Sequence, residues 1–292
     1  MKKANTFIDT VELKRRLSLP LEEKVKWAIE KYLDYLEVYS TEGVYLSFSG
    51  GKDSQVLCHI IDELHAGNMC HYLTKEYKFL YDKLVRGKPS PPKVFCDTGL
   101  EFPEIRKHVK KFDNVVRLKP KMKWTEVVMD IGFLIGSKKT SRMISDLRHP
   151  TENNKASRNL YLTGIKRDGT KTKSFKLAKR WRKLIDADFK VSGKCCDVFK
   201  KDPFKEYEKL TGRKPIMATL TEESVQRRVS YLQTGCNSFG VRAKSRPLSI
   251  WREEQVWEYS EKNNIRFADV YYEREVEIKE NDGTLSKAVV KG

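Results

Sequence analysis

The run of eleven residues at 44–54, VYLSFSGGKDS, constrains the fold more than any other part of the chain. A short β-rich run ends in two glycines and a lysine, and the apolar, helix-like stretch Gln55–Leu64 follows directly. This order predicts a strand, a tight turn and the first turn of a helix. Because the first backbone N–H groups of a helix lack intrahelical partners, such a turn binds phosphate.

The residue types in this turn suit an anion. Gly50 and Gly51 have no Cβ, so the backbone can adopt positive φ and an anion can approach the main chain closely. Lys52 adds a positive charge. Three nearby hydroxyl groups offer further hydrogen bonds; they belong to Ser47, Ser49 and Ser54.

A Walker A loop is excluded, because that pattern has a glycine five positions before the Gly-Lys pair and a Ser or Thr after the lysine. Leu46 and Asp53 stand at those two positions. SGGKDS instead resembles the PP-loop of the ATP pyrophosphatase superfamily, whose members cleave nucleotides at the α-phosphate.

A second motif, DTGLEFPE, follows the predicted strand Lys93–Cys96. Pro103 suits the first turn of a helix. An acidic residue and a glycine turn at the carboxyl end of a strand lie where open α/β sheets bind ligands. Asp97 is therefore a candidate for the nucleotide pocket, with a turn or helix-capping role as the alternative.

The remaining pattern alternates strands and helices. Residues up to about 40 have helical periodicity, and Gly132–Pro150 interrupts the alternation as a loop suited either to phosphate contacts or to solvent. The other predicted elements are the strand Val115–Leu118, the helix Trp124–Met129, the strand Pro215–Leu220, the helix Glu253–Tyr259 and a hairpin over Glu273–Val290 that turns at Asn281-Asp282-Gly283.

The formal net charge is +18, and half of it lies in Lys155–Lys190, where twelve Lys or Arg face three Asp. Aromatic residues between these cations favour RNA or DNA as a partner, with bases stacked on rings; the alternative is a basic amphipathic helix that packs Trp181 inward. No apolar run is long enough to span a membrane, and the N-terminus lacks the apolar core of a secretory signal, which favours the cytoplasm.

Four blocks occur in one order: SFSGGKDS, VFCDTGLEFPE, MATLTEESVQRR and RPLSIWREEQVWEY. Together they resemble the phosphoadenosine phosphosulfate (PAPS) reductase family of PP-loop ATP pyrophosphatases. The resemblance implies an α/β, three-layer, parallel-sheet domain that is adenine nucleotide alpha hydrolase-like and Rossmann-like. We expect an N-terminal helical layer at 1–42, this domain at 43–270 with a basic insertion at about 138–190, and a C-terminal hairpin or tail at 271–292.

The resemblance also implies site residues. The loop would bind the phosphate or sulfate end of ATP or PAPS through Ser49, Gly50, Gly51, Lys52, Asp53 and Ser54. Asp97, Thr98 and Gly99 would border the nucleotide. Arg227 or Arg228, beside Glu223, would clamp an anion. Asp53 or Asp97 would hold Mg²⁺.

The cysteines are a further family-like feature. Six cysteines in a chain of this size are thiols or metal ligands rather than a disulfide framework. By the resemblance, the tandem Cys195-Cys196 with Cys236 would hold a 4Fe–4S cluster; the alternatives are a cluster with an open iron, a chain that stops before its last ligands, and ordinary thiols. The late Cys-x-x-Cys of the cluster pattern is absent, and no cysteine follows Cys236 to accept a sulfonate.

Three functions follow as hypotheses. The first is an enzyme that acts at the α-phosphate to adenylate or thiolate an acceptor, with a nucleic acid favoured by the basic segment. The second is a PAPS or adenylyl-sulfate reductase that needs a thiol partner or sulfur donor. The third is a nucleotide-sensing protein that binds nucleic acid without turnover.

Overall fold

The computed structural model describes residues 7–279 and 285–290. These residues divide into two compact units. Unit 1 consists of residues 7–118 with 207–279 and 285–290, and unit 2 consists of residues 119–206. None of the helices in the described part of the chain is long and apolar enough to cross a membrane.

Unit 1 alternates helices and strands along the chain. Its N-terminal part contains α1 (Thr10–Leu17), α2 (Leu21–Tyr39), β1 (Val44–Ser47), α3 (Lys52–His65), α4 (Lys75–Leu84), β2 (Lys93–Cys96), α5 (Pro103–Val109) and β3 (Val115–Leu118). Unit 2 contains α6 (Trp124–Glu126), α7 (Lys138–Arg148), α8 (Lys155–Thr163) and α9 (Lys179–Arg182). The remaining elements are α10 (Asp202–Thr211), β4 (Lys214–Met217), α11 (Val225–Thr234), β5 (Asn237–Ser238), β6 (Lys244–Ser245), α12 (Glu253–Lys262), β7 (Arg274–Lys279) and β8 (Leu285–Val290).

The sheet of unit 1 has six strands in the order β3-β2-β1-β4-β6-β5. Every neighbouring pair is parallel except β5 with β6. The chain runs from β1 outward through β2 to β3 and later returns to the other side of β1 with β4. This reversal places a topological switch point at the carboxyl end of β1. The predicted α/β class with a parallel sheet and helices on both faces is confirmed.

One hydrophobic core joins the sheet to the N-terminal helices. The buried face of α2 includes Val25, Ile29, Tyr32 and Leu36, which follow the helical stripe visible in the sequence. Leu46 of β1 belongs to the same core. The predicted helical character of the first forty residues is thus confirmed over α1 and α2.

Unit 2 has a small core of its own, formed by Met143, Ile144, Leu147, Tyr161, Leu177 and Val191. The interpretation of Gly132–Pro150 as a loop was wrong, because α7 lies inside it. Ser137 caps this helix by accepting from the Thr140 N–H at 3.1 Å, and the three apolar residues of α7 face the core. Trp181 packs against this core, as the amphipathic alternative requires.

The C-terminal hairpin is present as the antiparallel pair β7–β8, with Arg274 opposite Val290 and Lys279 opposite Leu285. The predicted turn at Asn281-Asp282-Gly283 lies outside the described residues. The helix α4 was not predicted. Only two of its residues, Tyr81 and Leu84, are buried, and the tyrosines and charged residues around them obscure the hydrophobic periodicity of a helix.

Candidate nucleotide-binding site

The glycine turn lies between β1 and α3, at the switch point of the sheet. Gly50 has a φ of +73°, which L side chains rarely adopt. A Cβ there would also lie 2.6 Å from Cγ2 of Val109 and 2.9 Å from Cγ2 of Ile105 on α5. Gly50 is therefore required both by its backbone conformation and by the close approach of α5.

Gly51 occupies the N-cap position of α3 and offers no side chain to accept from the first turn. The first backbone N–H groups of this fourteen-residue helix are thus left for another acceptor. A Cβ at Gly51 would lie 2.9 Å from the Tyr271 hydroxyl. Tyr271 therefore borders the turn, which the sequence did not indicate.

Two serine hydroxyls hold the turn in shape. Ser54 Oγ donates to the Gly51 carbonyl at 2.8 Å and accepts from the Ser49 N–H at 3.3 Å. The Gly51 N–H donates to Ser49 Oγ at 3.2 Å. Ser47 lies at the end of β1, where it is paired with Val94 on one side and Met217 on the other.

Lys52 lies at the start of α3 and is held between two carboxylates. Its Nζ is 3.1 Å from Asp53 Oδ1 and 3.1 Å from Glu253 Oε1, and its side chain is only 15% exposed. Burial by itself would lower the pKa of Lys52, but Asp53 and Glu253 together raise it above the usual value. Lys52 is a fixed cation at the helix N-terminus.

The Asp97–Gly99 turn follows β2 at the same edge of the sheet. Asp97 forms two contacts with Arg106, Nε to Oδ1 at 3.2 Å and Nη2 to Oδ2 at 3.3 Å. Glu101 accepts from the Thr98 N–H at 3.0 Å and from Thr98 Oγ1 at 2.7 Å. The turn is therefore closed by Arg106 and Glu101, neither of which was predicted as a site residue.

The third segment follows β4. Glu223 accepts from the Leu220 N–H at 3.0 Å and forms an ion pair with Arg227. Arg227 thus already has a carboxylate partner, whereas within the described residues no carboxylate forms an ion pair with the exposed Arg228. Because β1, β2 and β4 are adjacent and parallel, their three following segments share one edge of the sheet.

The carboxylates proposed for Mg²⁺ are both engaged. Asp53 contacts Lys52, and Asp97 contacts Arg106. The described residues contain no group of three or more His, Cys, Asp or Glu that could hold a metal ion. Mg²⁺ commonly binds through one or two carboxylates and the phosphates of the substrate, so a single carboxylate here fits that mode.

The three cysteines predicted to hold a cluster are divided between the two units. Cys236 belongs to unit 1, is 3% exposed, and its Sγ accepts from Trp27 Nε1 at 3.3 Å. Burial raises the pKa of the Cys236 thiol. Cys195 and Cys196 belong to unit 2 and are partly exposed, and burial followed by the neighbouring Cys196 raises the pKa of Cys195. Cys236 fits a core thiol, and the cluster stays a prediction.

Glu253 is the residue at this site that sequence reasoning missed most clearly. It lies within the RPLSIWREEQVWEY block, as the first residue of α12. Its carboxylate reaches Lys52 from a distant part of the chain. The signal in the sequence was an acidic pair at a helix start, which is common for reasons unrelated to any site.

The comparison with protein families agrees with the last two of the four motif blocks. Residues 137–276 match the family model of the phosphoadenosine phosphosulfate reductase domain. This range includes the Glu223 and RPLSIW blocks but not the glycine turn at Ser49–Ser54.

No curated protein matches the sequence significantly. Among solved structures, the chain is similar to phosphoadenylyl-sulfate (PAPS) reductase from Candida auris in a phosphate complex. The identity is 13%, with 91% of this chain and 92% of that chain covered, and the TM-score is 0.40.

Proposed function

We propose that this chain, whose residues 137–276 match the domain model of the PAPS reductase family, is an enzyme that binds an adenine nucleotide and acts at the α-phosphate. The nucleotide is ATP or a related molecule such as PAPS. The observation that carries this proposal is the glycine turn at the start of α3, located at the switch point with Lys52 beside it. A helix N-terminus with a fixed cation is suited to an anionic group.

With ATP as the nucleotide, an oxygen or nitrogen of the acceptor attacks the α-phosphorus and gives up its proton to solvent, and the bond from the α-phosphorus to the oxygen that bridges to the β-phosphate breaks. Pyrophosphate leaves with the electron pair of that bond, and the acceptor becomes adenylated. In thiolation, a sulfur nucleophile then displaces AMP. The N–H groups at the start of α3 and the Lys52 ammonium stabilise the negative charge that develops on the phosphates.

Other residues of the site position these groups. Ser49 and Ser54 hold the turn open, and Gly50 lets it approach α5. Arg228 is available to contact an anion, whereas Arg227 would first have to leave Glu223. Mg²⁺, when bound at Asp53 or Asp97, would neutralise phosphate charge.

Glu253 and the nucleotide would compete for Lys52. The carboxylate stands where a phosphate oxygen would meet the ammonium, and it is 67% exposed and therefore easily moved. When a phosphate oxygen replaces the Glu253 carboxylate, the Lys52 ammonium keeps an anionic partner. Nucleotide binding therefore does not leave a buried positive charge without a partner.

A nucleic acid is our proposed acceptor. The support is the concentration of cations in unit 2, which contains the whole Lys155–Lys190 segment. A polyanion would meet this surface favourably and bring an acceptor group to the enzyme.

A reductase is the second candidate, favoured by the family match over residues 137–276. In this candidate function, a dithiol partner supplies the thiol that attacks PAPS or adenylyl sulfate. Nucleotide binding without turnover, in a sensor of nucleic acid, is the third.

Product analysis separates the three. Pyrophosphate released from ATP, together with the label of an α-labelled ATP found in the adenylated acceptor or in displaced AMP, supports the first function. Sulfite released from PAPS in the presence of a dithiol supports the second, and binding without either product supports the third.

The Lys52→Ala variant tests the site itself. We expect it to lower turnover by roughly 100-fold, the size of losing one preorganised group that stabilises transition-state charge. Lys78→Ala, an exposed substitution on α4 of the same unit, is the matched control and should leave turnover unchanged. Full activity in Lys52→Ala would refute the assignment of the phosphate site.

A further inference from the structure

Unit 2 carries most of the positive charge of the protein. Its 88 residues hold 23 Lys and Arg against 10 Asp and Glu, a net charge of +13 out of +18 for the chain. The field extends beyond the segment Lys155–Lys190, because Lys138 and Lys139 of α7 add to it. A field of one sign on one compact unit attracts a polyanion.

The cations of this unit are largely uncompensated. Of the twelve Lys and Arg within residues 155–190, Lys155 alone forms an ion pair with a carboxylate in the described part of the chain, that of Glu152 at 3.6 Å. Interspersed opposite charges would mark a surface built for solubility. In the described part of the chain, the other eleven cations of this segment form no ion pair with a carboxylate.

Four of these cations lie on an ordered turn, residues 164–173, which we call the basic hairpin. Ile165 and Lys171 form an antiparallel bridge across it. The Lys166 N–H donates to the Thr170 carbonyl at 2.9 Å. The hairpin therefore has a defined backbone and is not a loose loop.

The tip of the basic hairpin is closed by its own residues. Gly169 has a φ of +80°, and Asp168 Oδ1 accepts from the Thr170 N–H at 2.9 Å and from Thr170 Oγ1 at 2.7 Å. The single acidic side chain is thus used inside the turn. The cations at Lys166, Arg167, Lys171 and Lys173 are exposed to solvent.

An exposed aromatic ring follows the basic hairpin directly. Phe175 is 46% exposed, and Lys139 Nζ lies 4.3 Å from its ring centroid. Arg180 lies 5.1 Å from the ring centroid of Trp181, but Trp181 is packed on the core of unit 2. Lys139 Nζ also donates to the Ser174 carbonyl, which holds it over part of the Phe175 ring. Phe175 is the exposed ring next to the basic hairpin in the chain, and its exposed part offers a stacking surface to an unpaired base.

We infer that the basic hairpin and Phe175 bind single-stranded nucleic acid. Exposed cations hold the phosphates, and the ring of Phe175 stacks on a base, which a duplex would keep inside its own stack. The inference rests on the proposed function in naming this strand as the acceptor. The binding itself requires no nucleotide and no turnover.

Fluorescence anisotropy with a labelled single strand of about 20 nucleotides, RNA and DNA in turn, tests the surface at several salt concentrations. We compare the full chain with Lys166→Ala/Arg167→Ala/Lys171→Ala. Removing three phosphate contacts should weaken binding at least tenfold and reduce the slope of log affinity against log salt by about 2. The matched control removes three exposed lysines from α4 of unit 1, Lys75→Ala/Lys78→Ala/Lys83→Ala, and should change neither quantity.

Phe175→Ala tests stacking separately from charge. It should weaken single-strand binding roughly tenfold and leave the salt slope unchanged, while Phe175→Trp retains affinity. Circular dichroism verifies that each variant is folded. A duplex bound as tightly as the single strand, an equal loss in the control triple variant, or no loss in either hairpin variant would overturn the inference.

Separate measurements test the nucleotide site of unit 1 and the strand-binding surface of unit 2. Lys52→Ala should bind the single strand as the unmodified protein does, because Lys52 belongs to unit 1. If the protein binds the single strand but turns over no nucleotide, the proposed function is refuted and the inference about the basic hairpin and Phe175 still holds. If the protein releases pyrophosphate from ATP but does not bind the single strand, only the inference about the basic hairpin and Phe175 is refuted.

Discussion

The glycine turn of unit 1 and the basic hairpin of unit 2 both present cations, but they differ in how those cations are held. Around the turn, Lys52 is paired with Asp53 and Glu253, and Arg106 is paired with Asp97. On the basic hairpin, none of the cations forms an ion pair with a carboxylate of the described residues. Paired cations have fixed positions and suit one small anion, whereas unpaired exposed cations suit a long and variable one.

The largest expected difference between the two regions is their response to salt. For roughly six phosphates neutralised by unit 2, single-strand affinity should fall by roughly 300-fold between about 50 and about 200 mM salt. Nucleotide affinity should fall far less, because Lys52 is shielded by its partners and acts at short range. Parallel titrations of the two ligands measure both slopes, and equal slopes would remove the contrast.

Gly50→Ala tests how strictly the turn is built. A φ of +73° strains an L residue by about 1 to 3 kcal/mol, and the contacts with Val109 and Ile105 add to this. We expect a lower free energy of unfolding in chemical denaturation, together with loss of nucleotide binding. Gly87→Ala is the control, since Gly87 has a φ of +72° but nothing within 4 Å of the position a Cβ would take.

The two glycine variants together separate backbone strain from crowding. Gly87→Ala should show the strain alone and keep nucleotide binding. If Gly50→Ala were no less stable than Gly87→Ala, α5 would not press on the turn.

Lys24 on α2 is an exception within unit 1, because it is fully buried without a carboxylate in hydrogen-bond contact in the described chain. Its Nζ donates to the Leu17 carbonyl at 2.8 Å and to Gln255 Oε1. Burial, followed by the charge of Arg252, lowers the pKa of Lys24 to about 8, and Glu222 opposes this. The folded state therefore releases this proton at lower pH than the unfolded chain does.

Stability should consequently rise with pH above the folded-state pKa of Lys24. Between that pKa and the ordinary lysine value of 10.5, the unfolded state binds more protons, so the free energy of unfolding increases by on the order of 2 kcal/mol. Denaturation at about pH 7.5 and about pH 9.5 measures the increase. Lys24→Met should abolish this rise in the free energy of unfolding, and Lys26→Met should not. If the rise persisted in Lys24→Met, another titrating group would be its cause.

The smallest expected effect is at Glu253. Glu253→Gln removes the carboxylate that competes with phosphate for Lys52, so nucleotide affinity should rise by roughly two- to fivefold. Glu254→Gln is the matched control, since it lies in the same first turn of α12 and removes the same charge. Equal effects of the two variants on calorimetric affinity would show that the helix terminus, and not Lys52, is responsible.

The two regions also differ in how well the sequence predicted them. The turn at Gly50-Gly51 and the one at Asp97 were placed correctly at the ends of β1 and β2, because strand, glycine and helix follow one another locally. Glu253 was missed, since its contact with Lys52 depends on tertiary structure. Charge alone could place the basic region but not the basic hairpin.

The helix α7 of unit 2 could not be predicted from the sequence, because it is stabilised mainly by packing against the core of that unit. Polar residues of α7 outnumber its apolar ones, so its periodicity was weak, and Ser137 gave the one local sign of a helix start. The roles of Arg227, Arg228 and the cysteines stay predictions. Glu223 and Arg227 have the i,i+4 spacing that favours an ion pair, but the sequence does not show whether a bound anion displaces Glu223 from this guanidinium.

The nucleotide site at the glycine turn is tested most directly by calorimetric titration of the full chain with an ATP analogue that carries an imido group between the α- and β-phosphates. We expect one site, lost in Lys52→Ala and unchanged in Lys166→Ala/Arg167→Ala/Lys171→Ala. Binding that survives Lys52→Ala and is lost in the triple variant of the basic hairpin would instead assign the nucleotide to unit 2.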